Sequence, residues 1–187
     1  LISCSTPAAE FLTPTPYLSF QDNPFRTTSF QQFWLENFED GLLNTPGARS
    51  NTGRIQFQRS TTDSVDADDG SINGFGTAGR SWHSASVHSA IRFDFSRVNG
   101  LLPTHVGLVW TDVGITTFGG TGFGRVTLQA FGPTNILLGA SPTSQTGDGR
   151  ITGETAEDRF FGVINLDGIS AVELITSNSI DWELDHL

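Results

Sequence analysis

Lysine and methionine are absent from this sequence, and cysteine occurs once, at Cys4. A lone cysteine excludes an intramolecular disulfide, so stability has to come from packing or from a bound ion. All ten cationic side chains are arginine, set against twenty carboxylates, for a formal net charge of −10. That balance excludes nucleic acid, which needs a basic footprint, and disfavours an anionic membrane surface. Charged residues make up only 16% of the chain, where soluble domains usually carry about a quarter. The surface is therefore built of hydroxyls, amides and carboxylates, which suits an extracellular protein. No apolar run approaches the roughly 18 residues of a membrane span, and no helical stripe flanked by caps stands out.

What is present is alternation. Ile91, Phe93 and Phe95 alternate with Arg92 and Asp94; Val106, Leu108 and Trp110 with Gly107 and Val109; Val126 and Leu128 with Thr127 and Gln129; Ile180, Trp182 and Leu184 with Asp181 and Glu183. Side chains two apart share one face of a strand, so each set predicts an apolar face with a wetter one behind it. Further strands are expected at 54–58, 135–138, 159–164 and 169–176, and 33–38 is read as strand leading into a loop. Short strands separated by Gly, Asn, Asp, Ser and Thr predict an all-β fold. At 187 residues this is a two-sheet antiparallel β-sandwich, of jelly-roll type. Residues 1–16, rich in Pro and Thr, read as an extended N-terminal segment, and 17–187 as a single domain. Trp110 and Trp182 fall in phase with the core.

Two stretches, 60–86 and 114–124, are too long and glycine-rich for plain hairpin turns, and long ordered loops tend to carry function. The first holds Asp63, Asp66, Asp68 and Asp69 ahead of Gly70. Four carboxylates this close repel one another unless water or a cation screens them. Calcium takes six to eight oxygens, and a glycine allows the tight turn beside them. An EF-hand is excluded, because the glycine comes one residue early and no glutamate closes the loop. A calcium-binding acidic loop and a solvated acidic turn both remain open.

Near the start stands Asn37-Phe38-Glu39-Asp40-Gly41, and Leu184-Asp185-His186-Leu187 stands at the other end of the sequence. Here the chain resembles the calcium-stabilised jelly-roll carbohydrate-binding modules. In that family a glutamate near the first strand and an aspartate of the last share a structural calcium. The resemblance carries these roles to Glu39 and Asp185, with His186 where a second aspartate is expected. Phe38-Glu-Asp-Gly, Asp63-Ser-Val-Asp-Ala-Asp-Asp-Gly70, Val106-Gly-Leu-Val-Trp-Thr-Asp112, Ala156-Glu-Asp-Arg-Phe-Phe-Gly162 and Asp185-His-Leu together resemble bacterial exported proteins of the PEP-CTERM type. That resemblance implies export and a cell-surface or matrix role, and no reaction. Leu1-Ile2-Ser3-Cys4 resembles the end of a lipoprotein signal, which would make Cys4 a lipidated anchor; otherwise it is an unpaired cysteine.

Sugar rings stack on flat aromatic faces. Trp82, in the small polar context Gly79-Arg-Ser-Trp-His-Ser-Ala85, is the ligand-binding residue expected from sequence, while Trp34 stays open. No nucleophile elbow, zinc-protease helix or phosphate loop is present. His83 and His88 lack a third zinc ligand, and Glu154, Glu157 and Asp158 form the sort of acidic group any acidic protein offers. The expectation is a secreted, non-catalytic module with structural calcium that binds polysaccharide or glycan. The alternatives are a self-associating matrix or filament protein and a polysaccharide-degrading enzyme.

Overall fold

The computed structural model describes residues 8–57, 62–67, 79–85, 87–113, 125–142, 144–145, 158–177 and 179–187. Among them two antiparallel sheets pack face to face as a β-sandwich. The first sheet contains β1 (Glu10–Phe11), β2 (Thr15–Pro16), β4 (Arg54–Gln56), β5 (Ser81–His83), β7 (His105–Val113), β11 (Arg159–Ile164) and β13 (Trp182–Asp185). Its order is β1-β11-β7-β13-β5-β4, with β2 also paired to β11. The second contains β3 (Ala48–Arg49), β6 (Ala90–Phe95), β8 (Arg125–Phe131), β9 (Leu137–Ala140), β10 (Ser144–Gln145) and β12 (Ala171–Thr176), in the order β10-β8-β12-β6-β3, with β9 also on β8.

Period-two burial makes the core. Ile91 and Phe93 of β6, Val126, Leu128 and Ala130 of β8, and Val172 and Leu174 of β12 face Val106, Leu108, Trp110, Phe161, Trp182 and Leu184 of the other sheet. Trp110 and Trp182 are fully buried.

The first sheet is covered on its second face as well. Val109 and Phe160, out of phase with the inner core, pack under Tyr17, Phe25 and Val65. Each such ring or branched side chain removed from water contributes roughly 1.5–3 kcal/mol. The described part of the N-terminal segment is therefore no free lead-in. Glu10 and Phe11 pair with Ile164 and Val163, Thr15 and Pro16 with Phe160 and Arg159. Gly107 and Gly162 pair directly across β7 and β11, where the Phe160 ring needs the space. A Cβ at Gly162 would lie 2.7 Å from that ring, and one at Gly107 would come within 2.2 Å of it.

Two expectations shift. Residues 33–38 form no strand, because Glu36 and Phe38 are held by loop hydrogen bonds described below. The strand expected at 135–138 begins instead at Leu137, since Asn135 takes a left-handed turn conformation (φ 59°) closed by Gly132 and Ile136. No helix among the described residues is long and apolar enough to cross a membrane.

Candidate functional site

An acidic layer forms on the outer face of β13. Trp182 and Leu184 enter the core, so Glu183 and Asp185 point the other way. Both are nonetheless buried, because residues 62–67 lie across them. The Asp63 and Val65 amides donate to Glu183 Oε2 (2.7 Å) and Asp185 Oδ2 (3.0 Å). Ser81 Oγ and Gln56 Nε2 add donors to Glu183 at 2.8 and 3.0 Å, and the His186 amide donates to Asp185 Oδ1 at 2.7 Å. The pairing register shifts between Glu183 and Leu184, which skips Thr111. The Thr111 hydroxyl donates to the Asp63 carbonyl at 3.3 Å, anchoring the covering segment.

Glu39 reaches the same layer from a loop organised by Glu36. The buried Glu36 carboxylate accepts from the amides of Phe38 (3.2 Å), Asn44 (2.7 Å) and Thr45 (2.9 Å), while its own amide donates to the Leu187 carbonyl at 2.7 Å. These bonds hold Phe38 at φ 58°, a costly conformation for a buried aromatic residue. Glu39 Oε1 then accepts from the Arg80 amide (2.5 Å) and from Ser64 Oγ (3.1 Å). Gly79 has φ +78°, and a Cβ there would come within 2.9 Å of Glu39 Oε1 and 2.7 Å of Ser64 Oγ.

Ser64 Oγ also lies 3.1 Å from Asp185 Oδ2. A serine hydroxyl carries one proton, so it donates to one of the two carboxylates, while Glu39 keeps the Arg80 amide and Asp185 the Val65 amide as donors. Two carboxylates thus meet at one hydroxyl, a place where a cation would add to these donors. Burial pushes the Asp185 carboxyl up to about 7, against the opposing pull of His186 and the Ser64 hydroxyl. Burial likewise pushes Glu183 up to about 7 in spite of its donors from Asp63 and Ser81. Beside them His186 lies with Nδ1 3.0 Å from the Tyr17 hydroxyl and Nε2 3.3 Å from Asp66 Oδ1. Burial alone would lower His186, but the partner Asp66 and the charges of Asp185 and Glu39 raise it. Asp66 is lowered in return, by His186 first and by the Asn37 amide that donates to it at 2.6 Å.

Among the described residues no three acid or histidine side chains converge as a ready-made metal site. The all-oxygen set of Glu39, Asp185 and Ser64 suits a hard cation in kind; in number it supplies part of the six to eight oxygens calcium takes and leaves the rest to water.

A second site is a groove of about 420 Å³ between residues 28–35 and 98–107, with His186 and Leu187 at its base. Its rings form a chain. Phe30 lies 5.9 Å from Phe33 and 4.9 Å, edge-on, from His105, which meets Phe25 at 5.2 Å. Burial lowers the His105 pKa and keeps the imidazole neutral, and its Nδ1 lies 3.0 Å from Thr104 Oγ1. Phe33 and Trp34 remain 43% and 39% exposed, an aromatic surface of the kind that marks binding sites.

No family model, curated protein or solved structure matches this chain.

The structure brings Glu39 and Asp185 together through Ser64, with Asp66 one histidine away. Asp63 lies beside them, buried, with its amide on Glu183. Asp68 and Asp69 lie outside the described residues. Trp82 requires a correction: it is 7% exposed, packed between Phe38 and Phe93, and its indole N–H donates to the Thr52 carbonyl at 2.8 Å. Its face is not open to a sugar. The small residues around it let the indole in, since a Cβ at Gly53 would meet the Trp82 Nε1 at 2.5 Å. His83 is spoken for as well, with Nε2 2.8 Å from Asp181 Oδ1 and Nδ1 accepting from the Ala85 amide. Sequence reasoning missed Glu36, Ser64, Glu183 and the wall from Phe30 to Phe33, and left Trp34 open. One signal for Glu183 was available, since Asp181, Glu183 and Asp185 put three acids on one face of a strand.

Proposed function

We propose that this β-sandwich is a non-catalytic module of the bacterial exterior that binds polysaccharide or glycan in the groove beside Trp34. The half-exposed pair Phe33–Trp34 over a roughly 420 Å³ groove carries the reading. Flat rings suit the C–H faces of sugars, and nearby amides and hydroxyls suit their hydroxyl groups. Binding is favoured over cleavage, because glycoside hydrolysis needs two acids flanking the bond and no Asp or Glu is among the described residues that line the groove.

Calcium would be held by Glu39, Asp185 and the Ser64 hydroxyl, its charge offsetting the two carboxylates that meet at that hydroxyl. Such an ion would also serve the groove. Glu39 follows the Trp34–Leu35 wall in sequence, and Asp185 precedes the lining residues His186 and Leu187, so one tie joins both sides.

The test is a polysaccharide pull-down followed by calorimetry. Trp34→Ala, which removes a ring outside the inner core, should weaken binding at least tenfold while leaving the melting curve near wild type. Wild type that binds no glycan, with or without calcium, refutes the reading. A second reading, self-association, is favoured by one observation: among the described residues strand β9 pairs with β8 alone, and it and its lead-in expose Ile136 (68%) and Leu137 (51%). Higher oligomers in sedimentation velocity that Ile136→Lys abolishes would support it.

A further inference from the structure

The described residues lining the groove number twenty-four, and none is Asp, Glu, Lys or Arg. At the chain's 16% charged content, about four would be expected. Both histidines there are committed: His105 is kept neutral by burial, and His186 faces Asp66. The arginines nearest the walls in sequence each donate to a backbone carbonyl, Arg26 to Gln21 (3.2 Å) and Arg97 to Gly100 (2.9 Å), and Arg26 lines a neighbouring pocket with Phe20, Phe25 and Phe30 rather than the groove itself.

Resting on the glycan reading above, we infer that the groove selects uncharged glycans and rejects uronic-acid and sulfated ones. A carboxylate or sulfate entering it would shed water with no Lys or Arg among the described lining residues to meet it and with His186 already facing Asp66, which is costly, and would approach a protein of net charge −10. A neutral hydroxyl-rich ligand suffers neither penalty. It also answers the polar groups interleaved with the rings, Thr28, Ser29, Gln31, Gln32, Ser96 and Thr104, which an acyl chain would cover and leave unpaired. The groove thus combines apolar stacking with neutral hydrogen-bonding groups, and specificity against anions comes from what it omits.

The experiment compares matched-length neutral oligosaccharides (β-1,4- and β-1,3-glucans and a β-mannan) with oligogalacturonate and oligoalginate, by calorimetry at low and moderate salt. At least one neutral series should bind tenfold or more tighter than either uronate, with little salt dependence, and Trp34→Ala should weaken it at least tenfold. Gln32→Arg, at an exposed position on the wall, should raise uronate affinity several-fold and make it salt-sensitive. Uronates binding wild type as well as neutral sugars, or better, overturns the selectivity and leaves the glycan reading standing. Failure of every oligosaccharide overturns both. Neutral binding that survives Trp34→Ala moves the site elsewhere and overturns the inference.

Discussion

Strand β13 is buried on both faces by opposite means. Its inner face puts Trp182 and Leu184 into the apolar space between the sheets, where shape alone decides the fit. Its outer face puts Glu183 and Asp185 under residues 62–67, and each carboxylate is met by N–H or O–H donors. The inner face would form in any sandwich with the right volumes. The outer face forms only if chain segments distant in sequence arrive together, because an unpaired buried carboxylate costs several kcal/mol. Apolar burial thus gives the strand its place, and polar burial makes the placement depend on Glu39, Ser64 and residues 62–67. Altering one face at a time tests this division.

The largest effect belongs to the inner face. Trp182→Ala should cost about 3–5 kcal/mol in urea unfolding, as for other large-to-small core changes, and it also orphans the His88 carbonyl that accepts the indole N–H at 2.8 Å. The loss should be the same at pH 5 and pH 8. A cost below about 1 kcal/mol would mean the inner face is not packed as described.

That division also explains what could be read from the sequence. The inner core was legible because one buried face stamps period two on β6, β7, β8 and β13. The strand expected at 159–164 coincides with β11. The outer apolar layer was harder, since Val109 and Phe160 are the residues between the in-phase ones, and only the late arrival of Tyr17 and Phe25 gives them a partner. Glu39 and Asp185 entered through a family resemblance and prove to share Ser64, whereas Glu36 and Glu183 look like surface glutamates in any local window. Their burial comes from contacts such as Asp63 to Glu183, 120 residues apart. Trp82 was misread for a related reason: small polar neighbours mark tight packing as readily as exposure.

The outer face should respond to pH where the inner does not. Glu183 rises from 4.5, and Asp185 from 3.8, to about 7 in the folded chain. The folded state therefore holds these protons more tightly than the unfolded one. Their stabilising contribution is complete below the ordinary carboxylate range and is lost as pH rises through about 7. His186, also raised, adds loss in the same direction. For Glu183 the change is on the order of 3 kcal/mol. In chelator, the urea midpoint should fall between pH 5 and pH 8, and Glu183→Gln should remove a large part of the fall. A midpoint that is flat or rises over that range contradicts the buried acidic layer.

The smallest effect separates the two acids of this face. Glu183 stands alone among its donors from Gln56, Asp63 and Ser81, whereas Asp185, besides the amides of Val65 and His186, meets Glu39 across one hydroxyl. Only the shared pair brings two carboxylates to one point, where the cation is proposed. Calcium at a hundredfold excess over its dissociation constant would stabilise the fold by about 2.7 kcal/mol. At roughly 2–4 °C per kcal/mol for a chain this size, chelation near pH 7.5 should lower the melting temperature by several degrees. Glu39→Gln should erase most of that sensitivity, and Glu183→Gln should leave it intact. Equal effects of the two substitutions would spread the ion over the whole layer, while a melting curve that ignores both calcium and chelator would remove the ion from this face altogether.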